Sequence, residues 1–160
     1  MNRRINILFS SLVVVTLMVS TVFAGDVLLP GSNSPKQVVL LRQFVMQAMN
    51  GDVSDLLNKV KADDIKGVSA NARSLAALAS FLPLLYGETH QNEYPIPAKK
   101  YFFKGAPIAE IETLSQDLVT QAKELIKLSN SNDMAAVKAH VPKLRGSCTA
   151  CHKVSRGEYK

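Results

Sequence analysis

The chain has 160 residues, a formal net charge of +6, few aromatic residues (6%) and no tryptophan. That size allows one domain with a real core. Basic residues spread along the chain, with so few aromatics to stack on bases, argue against a nucleic-acid binder.

The first segment reads as an export signal. Arg3 and Arg4 precede an uncharged apolar stretch, Ile5 to Val19, and Val22-Phe23-Ala24 offers a small-x-Ala cleavage site. That order is the pattern of a secretory signal peptide over residues 1–24, and the apolar stretch is short for a spanning helix, which needs about 20 residues. Residues 25–160 then form the mature domain, with 17 basic against 13 acidic residues, a balance of +4. No second apolar run reads as a membrane span. The expected location is the periplasm.

Four segments carry helical periodicity. The first opens at Ser34-Pro35-Lys36-Gln37, a capping box with proline at the first helical position. Its seam runs Val39, Arg42, Met46, Met49, Val53, Leu56, Val60, and is read as continuous through Asn50-Gly51. The second starts near Asp63 or Asp64 and runs Ile65, Val68, Ala72, Leu75, Ala79, Leu82, with Pro83 and Gly87 expected to close it. The stretch Tyr86 to Ala106 reads as a long irregular crossover. The third helix starts at Pro107 and runs Ile111, Leu114, Leu118, Ala122, Leu125, Leu128. After a turn at Asn130 to Asp133, the fourth runs Met134, Val137, Val141, Leu144, Cys148, Cys151, with Pro142 expected to kink it. Seams stepping by three and four residues suit helices packed at a shallow angle. The expected fold is all-α, an antiparallel four-helix bundle.

Both cysteines lie in Cys148-Thr149-Ala150-Cys151-His152. A disulfide there would close a tiny loop and add little chain-entropy stabilisation. On a helix, residues three and four apart share one face, so both sulfurs and the imidazole point the same way. This is the haem c attachment pattern, with two thioether links at the porphyrin edge and His152 reaching the iron. Zinc would need four ligands, and His90 and His140 have no ligand-like spacing to the pair. A redox CxxC sits at the start of a helix in an α/β fold, unlike this one. No acid, base or nucleophile array of an enzyme is visible.

One such motif at the end of the fourth helix of an exported bundle resembles the class II c-type cytochromes, the cytochrome c prime family and its low-spin relatives. Leu41-Arg42-Gln43-Phe44-Val45-Met46 is similar to the family's first-helix motif. His152-Lys153-Val154-Ser155-Arg156 is similar to its His-x-x-aromatic-Arg ending, with Ser155 in place of the aromatic. The resemblance implies one covalent haem c per chain, attached at Cys148 and Cys151, with His152 as proximal iron ligand and Met46 on the distal side. It also implies that Arg42 pairs with a haem propionate and that Arg156 belongs to the cofactor site.

Arg42 falls on the core-facing seam, where an unpaired cation is costly. Either an anion such as a propionate neutralises it, or its head escapes to solvent. Met46 on a bundle seam is most often core filler, and only the resemblance lifts it; Met49 is the backup. If Met46 binds iron, the protein is an electron carrier. If it only blocks the face, the protein is a five-coordinate binder of nitric oxide or carbon monoxide. A third reading is a haem-free bundle with a Cys148–Cys151 disulfide. The partners expected are a redox protein, drawn to a basic haem rim of Lys138, Lys143, Arg145, Lys153, Arg156 and Lys160, and a second copy of the chain. The small residues Ala72, Ala76, Ala79 and Ala122 predict an apolar pocket at the motif's end of the bundle, with Met46 in its wall and Arg42 near its mouth.

Overall fold

A computed structural model of the chain describes residues 34–86 and 101–158; the expected signal segment 1–24, His90 and Lys160 lie outside them. The helices are α1 (Pro35–Lys61), α2 (Ile65–Tyr86), α3 (Ile108–Asn130) and α4 (Met134–Ser155). Two short strands, β1 (Tyr101–Phe103) and β2 (Arg156–Glu158), accompany them. Consecutive helices pack side by side, α1 on α2, α2 on α3 and α3 on α4, while α1 and α4 touch far less than any of these pairs. The fold is the expected antiparallel four-helix bundle.

Local chemistry sets the helix ends. Gln37 N–H donates to Ser34 Oγ at 3.3 Å, and Ser34 N–H donates to Gln37 Oε1 at 2.7 Å, which closes the capping box. α1 then runs unbroken through Asn50-Gly51, where Gly51 faces open space and its missing side chain leaves no packing gap. The two tight turns between helices each hold a residue in left-handed conformation, Asp63 (φ 54°) and Asn132 (φ 58°), a region that Asp and Asn tolerate. Asp64 accepts from Gly67 N–H and Asp133 from Ala136 N–H, both at 2.9 Å, capping α2 and α4.

The seams read from sequence form the core. Leu56, Leu75, Ile111, Leu125 and Leu144 are fully enclosed. Polar pairs fix neighbouring helices in register. Ser74 Oγ donates to Asp52 at 2.6 Å between α1 and α2, and the His140 ring Nε2 donates to the Gln121 carbonyl at 3.0 Å between α3 and α4.

Three features differ from the sequence reading. Of the two residues expected to close α2, Pro83 lies inside the helix, which runs on to Tyr86, the residue before Gly87. Proline forfeits its own N–H bond and crowds the carbonyl one turn earlier, and the buried Leu82 and Leu85 hold the last turn against the bundle despite that cost. The expected crossover contains a strand: β1 pairs antiparallel with β2, with Tyr101 opposite Glu158 and Phe103 opposite Arg156. Finally, α2 is long and apolar enough to cross a membrane, at mean hydropathy 1.3, where the sequence reading finds no such run. Here it packs as a core helix, with Val68, Ala72, Leu75 and Ala79 at 0% exposure.

Candidate functional site

A cavity of about 210 Å³ lies among the four helices, with most of its wall from α1 and α4. From α1 it is lined by Met46, Met49, Asn50 and Val53; from α2 by Leu82 and Tyr86; from α3 by Ile111 and Leu118. α4 contributes Arg145, Cys148, Thr149, Cys151, His152 and Ser155. The structure therefore brings Met46, both cysteines and His152 to one cavity.

The pocket has a different wall from the one expected. Ala72, Ala76, Ala79 and Ala122 do not line it. Ala72, Ala79 and Ala122 are fully buried where α2 and α3 approach closely. Small residues at a helix interface bring the helices together and leave no space. The space is walled instead mostly by α1 and α4.

Both sulfurs are free thiols, half-buried, on one face of the last turns of α4. Cys148 Sγ lies 3.8 Å from the Leu144 carbonyl. Burial pushes both thiols up, helped for Cys148 by Cys151 and for Cys151 by Glu110. The His152 ring is pushed the other way, first by burial and then by the Arg156 charge. Ser155, standing where the resemblance leads one to look for an aromatic, is 5% exposed. Its hydroxyl donates to the Cys151 carbonyl at 2.7 Å.

Of the two surroundings expected for Arg42, the structure does not give it solvent. It is only 4% exposed, and it does not line the cavity. Its Nε donates to the Leu85 carbonyl. Its guanidinium lies 5.2 Å from the Tyr86 ring centroid and 4.9 Å from that of Phe103. Desolvation pulls its pKa below the ordinary arginine value. Arg156 caps the C-terminus of α4 with its backbone N–H on the His152 carbonyl, begins β2, and carries an exposed side chain.

Tyr86 and Phe103 were not legible as site residues. Tyr86 lines the cavity beside Arg42 and Cys151, and burial raises its phenol to about 12. Proximity to a proline-bearing helix end and to an irregular stretch hides both residues from any periodicity argument.

A model of the cytochrome c′ family matches residues 37–156. None of the curated proteins matches the chain significantly. Among solved structures, cytochrome c′ from Thermochromatium tepidum is 24% identical, covers 79% of this chain and 98% of its own, and superposes with a TM-score of 0.65. Cytochrome c′ from Rubrivivax gelatinosus is 16% identical, with 78% and 98% covered and a TM-score of 0.59. A third, a cytochrome c′ described as having an unusual ligand-controlled dimer dissociation, is 17% identical, with 79% and 98% covered and a TM-score of 0.57. At these identities the structures speak for the fold, and the family match speaks for descent.

The chain belongs to the cytochrome c′ family. It is a class II c-type cytochrome whose cofactor is one covalent haem c per chain. The donor set fits that group, since two free thiols and an imidazole share one wall of a mainly apolar cavity. The family sets aside the haem-free reading of the cysteine pair.

Proposed function

We propose that this chain is an exported electron carrier in which Cys148 and Cys151 would form the two thioether links to haem and His152 and Met46 would ligate its iron. The observation that carries this reading is that Met46, from α1, lines the same cavity as the three residues of the α4 motif. Bound there, haem c supplies one reversible electron, at a potential that histidine–methionine ligation raises. The chain's own residues bind and shield it. Leu82, Ile111 and Leu118 keep the wall apolar, and Arg42 and Arg156 serve the haem carboxylates. Residues 1–24 direct export to the periplasm and are removed. An acidic redox protein docks on the basic rim near the cavity mouth.

A second reading is supported by the similar structure described by its ligand-controlled dimer dissociation. On that reading Met46 stands near the iron without binding it, and a diatomic gas takes the open position. The protein also pairs with a second copy of itself. Leu40 and Phe44 on α1 and Phe81 and Leu84 on α2 are exposed, up to 67% at Leu84. They lie on stretches that the Arg42–Leu85 bond ties together, and clustered exposed apolar residues mark interaction surfaces.

One preparation separates these readings. Protein matured with haem should keep its colour through acid–acetone extraction, and Cys148→Ala with Cys151→Ala should lose it. The oxidised form should be low-spin with a far-red sulfur–iron band, and Met46→Ala should turn it high-spin and open to carbon monoxide. Wild-type protein that is already high-spin and binds carbon monoxide would decide for the gas-binding reading.

A further inference from the structure

The Arg42 cage is assembled from segments far apart in the chain. Its Nε is fixed by the carbonyl of Leu85 in the last turn of α2, and the Tyr86 ring follows directly. The second ring, Phe103, arrives on β1 and is 8% exposed. It meets Tyr86 edge to face, with centroids 4.7 Å apart. β1 is itself held by the chain that leaves the haem motif. Phe103 pairs with Arg156 in the ladder, and Lys104 N–H donates to the Ser155 carbonyl at 2.8 Å. The stretch that follows Cys151 and His152 therefore also sets the position of Phe103.

A buried guanidinium is expensive to desolvate, yet arginine keeps its charge. Ring faces are among the few apolar surfaces that attract a cation. The result is a permanent charge behind the Tyr86 wall of the cavity, screened by salt far less than the exposed Arg145.

We propose that Phe103 and Tyr86 are positioning residues that hold the Arg42 charge against the haem cavity and thereby raise the reduction potential of the haem. The proposal rests on haem occupying this cavity, as argued above. A fixed positive charge favours ferrous over ferric iron, because reduction removes one positive charge from the site. A propionate meeting Arg42 leaves the direction unchanged, since loss of the guanidinium would then leave a carboxylate uncompensated. Phe103 does not line the cavity, so it acts through Arg42.

The test is a double-mutant cycle on the haem-loaded protein, read by spectroelectrochemical titration. Arg42→Gln and Phe103→Leu should each lower the midpoint potential, and the double variant should match Arg42→Gln. Phe103→Tyr, which restores the ring face, should return the midpoint to the wild-type value and does not depend on Arg42→Gln folding. An unchanged midpoint in Phe103→Leu overturns the proposal. So does an equal fall in Phe103→Tyr, or a Phe103→Leu effect that persists undiminished in the Arg42→Gln background. Acid–acetone extraction of the same samples beforehand reports separately on haem attachment, so failure there sinks the haem assignment and not the cage.

Discussion

Tyr86 and Phe103 meet edge to face, their ring centroids 4.7 Å apart and their planes at 79°. The contact covers part of the half-buried Tyr86 ring, and burial raises the phenol pKa from 10.0 to about 12, against a smaller opposing pull from Arg42. Between those two values the unfolded chain has lost the phenolic proton and the folded chain keeps it. The folded state binds more protons there, so its stability falls as pH rises. The contribution is fully present below pH 10 and is lost between about 10 and 12, about 3 kcal/mol for a two-unit shift at ~1.4 kcal/mol per unit. Denaturant titrations across that window should show a shallower loss in Tyr86→Phe than in wild type. Parallel curves would mean that Tyr86 is not enclosed.

The parts of this site that periodicity reaches were legible in the sequence, and the parts built by non-local pairing were not. Cys148, Cys151 and His152 announce themselves by spacing on one helix face, and Met46 falls on a seam that any helical reading finds. Arg42 was visible as a cation on an apolar seam, but its cage was not. Leu85 and Tyr86 lie beyond a proline that argues for a helix end, and Phe103 depends on a three-residue ladder with Arg156. No local propensity specifies a pairing across so long a sequence separation. The alanine seam misled for a related reason. Ala72, Ala79 and Ala122 suggest room when read alone, whereas facing helices consume that room by moving together.

The apolar face of α1 and α2 gives a second prediction. Phe44 is 63% exposed and Phe81 57%, a large area to leave in water at ~25 cal/mol per Å². Wild-type protein should sediment as a dimer, and Phe44→Asp as a monomer with an unchanged haem spectrum, because a desolvated carboxylate opposes the apolar face of a second copy. A wild-type monomer at high concentration would show that this face does not serve self-association.

The last prediction concerns the basic rim. Arg145 lines the cavity, Lys153 and Arg156 are exposed at the C-terminal end of α4 and just past it, and Lys143 is exposed near the helix middle. Lys104 adjoins Lys153, its ammonium 3.4 Å from the Lys153 carbonyl. Lys138, counted in the rim on sequence alone, sits elsewhere. It pairs with Asp63 at 2.7 Å beside the α1–α2 turn, and at 1.5 Å rise per residue it lies roughly 20 Å along α4 from His152. Charges near the haem edge should steer an acidic partner, and a charge that distant and already paired should not. At low ionic strength, Arg145→Gln with Lys153→Gln should slow electron transfer from an acidic donor protein by about tenfold or more, within the range of steering effects. Lys138→Gln should leave the rate within twofold. Raising salt to about 0.5 M shortens the screening length well below 10 Å, so the double variant and wild type should converge. Rates indifferent to salt, or a Lys138→Gln effect as large as the Arg145 and Lys153 pair, would place docking away from the cavity mouth.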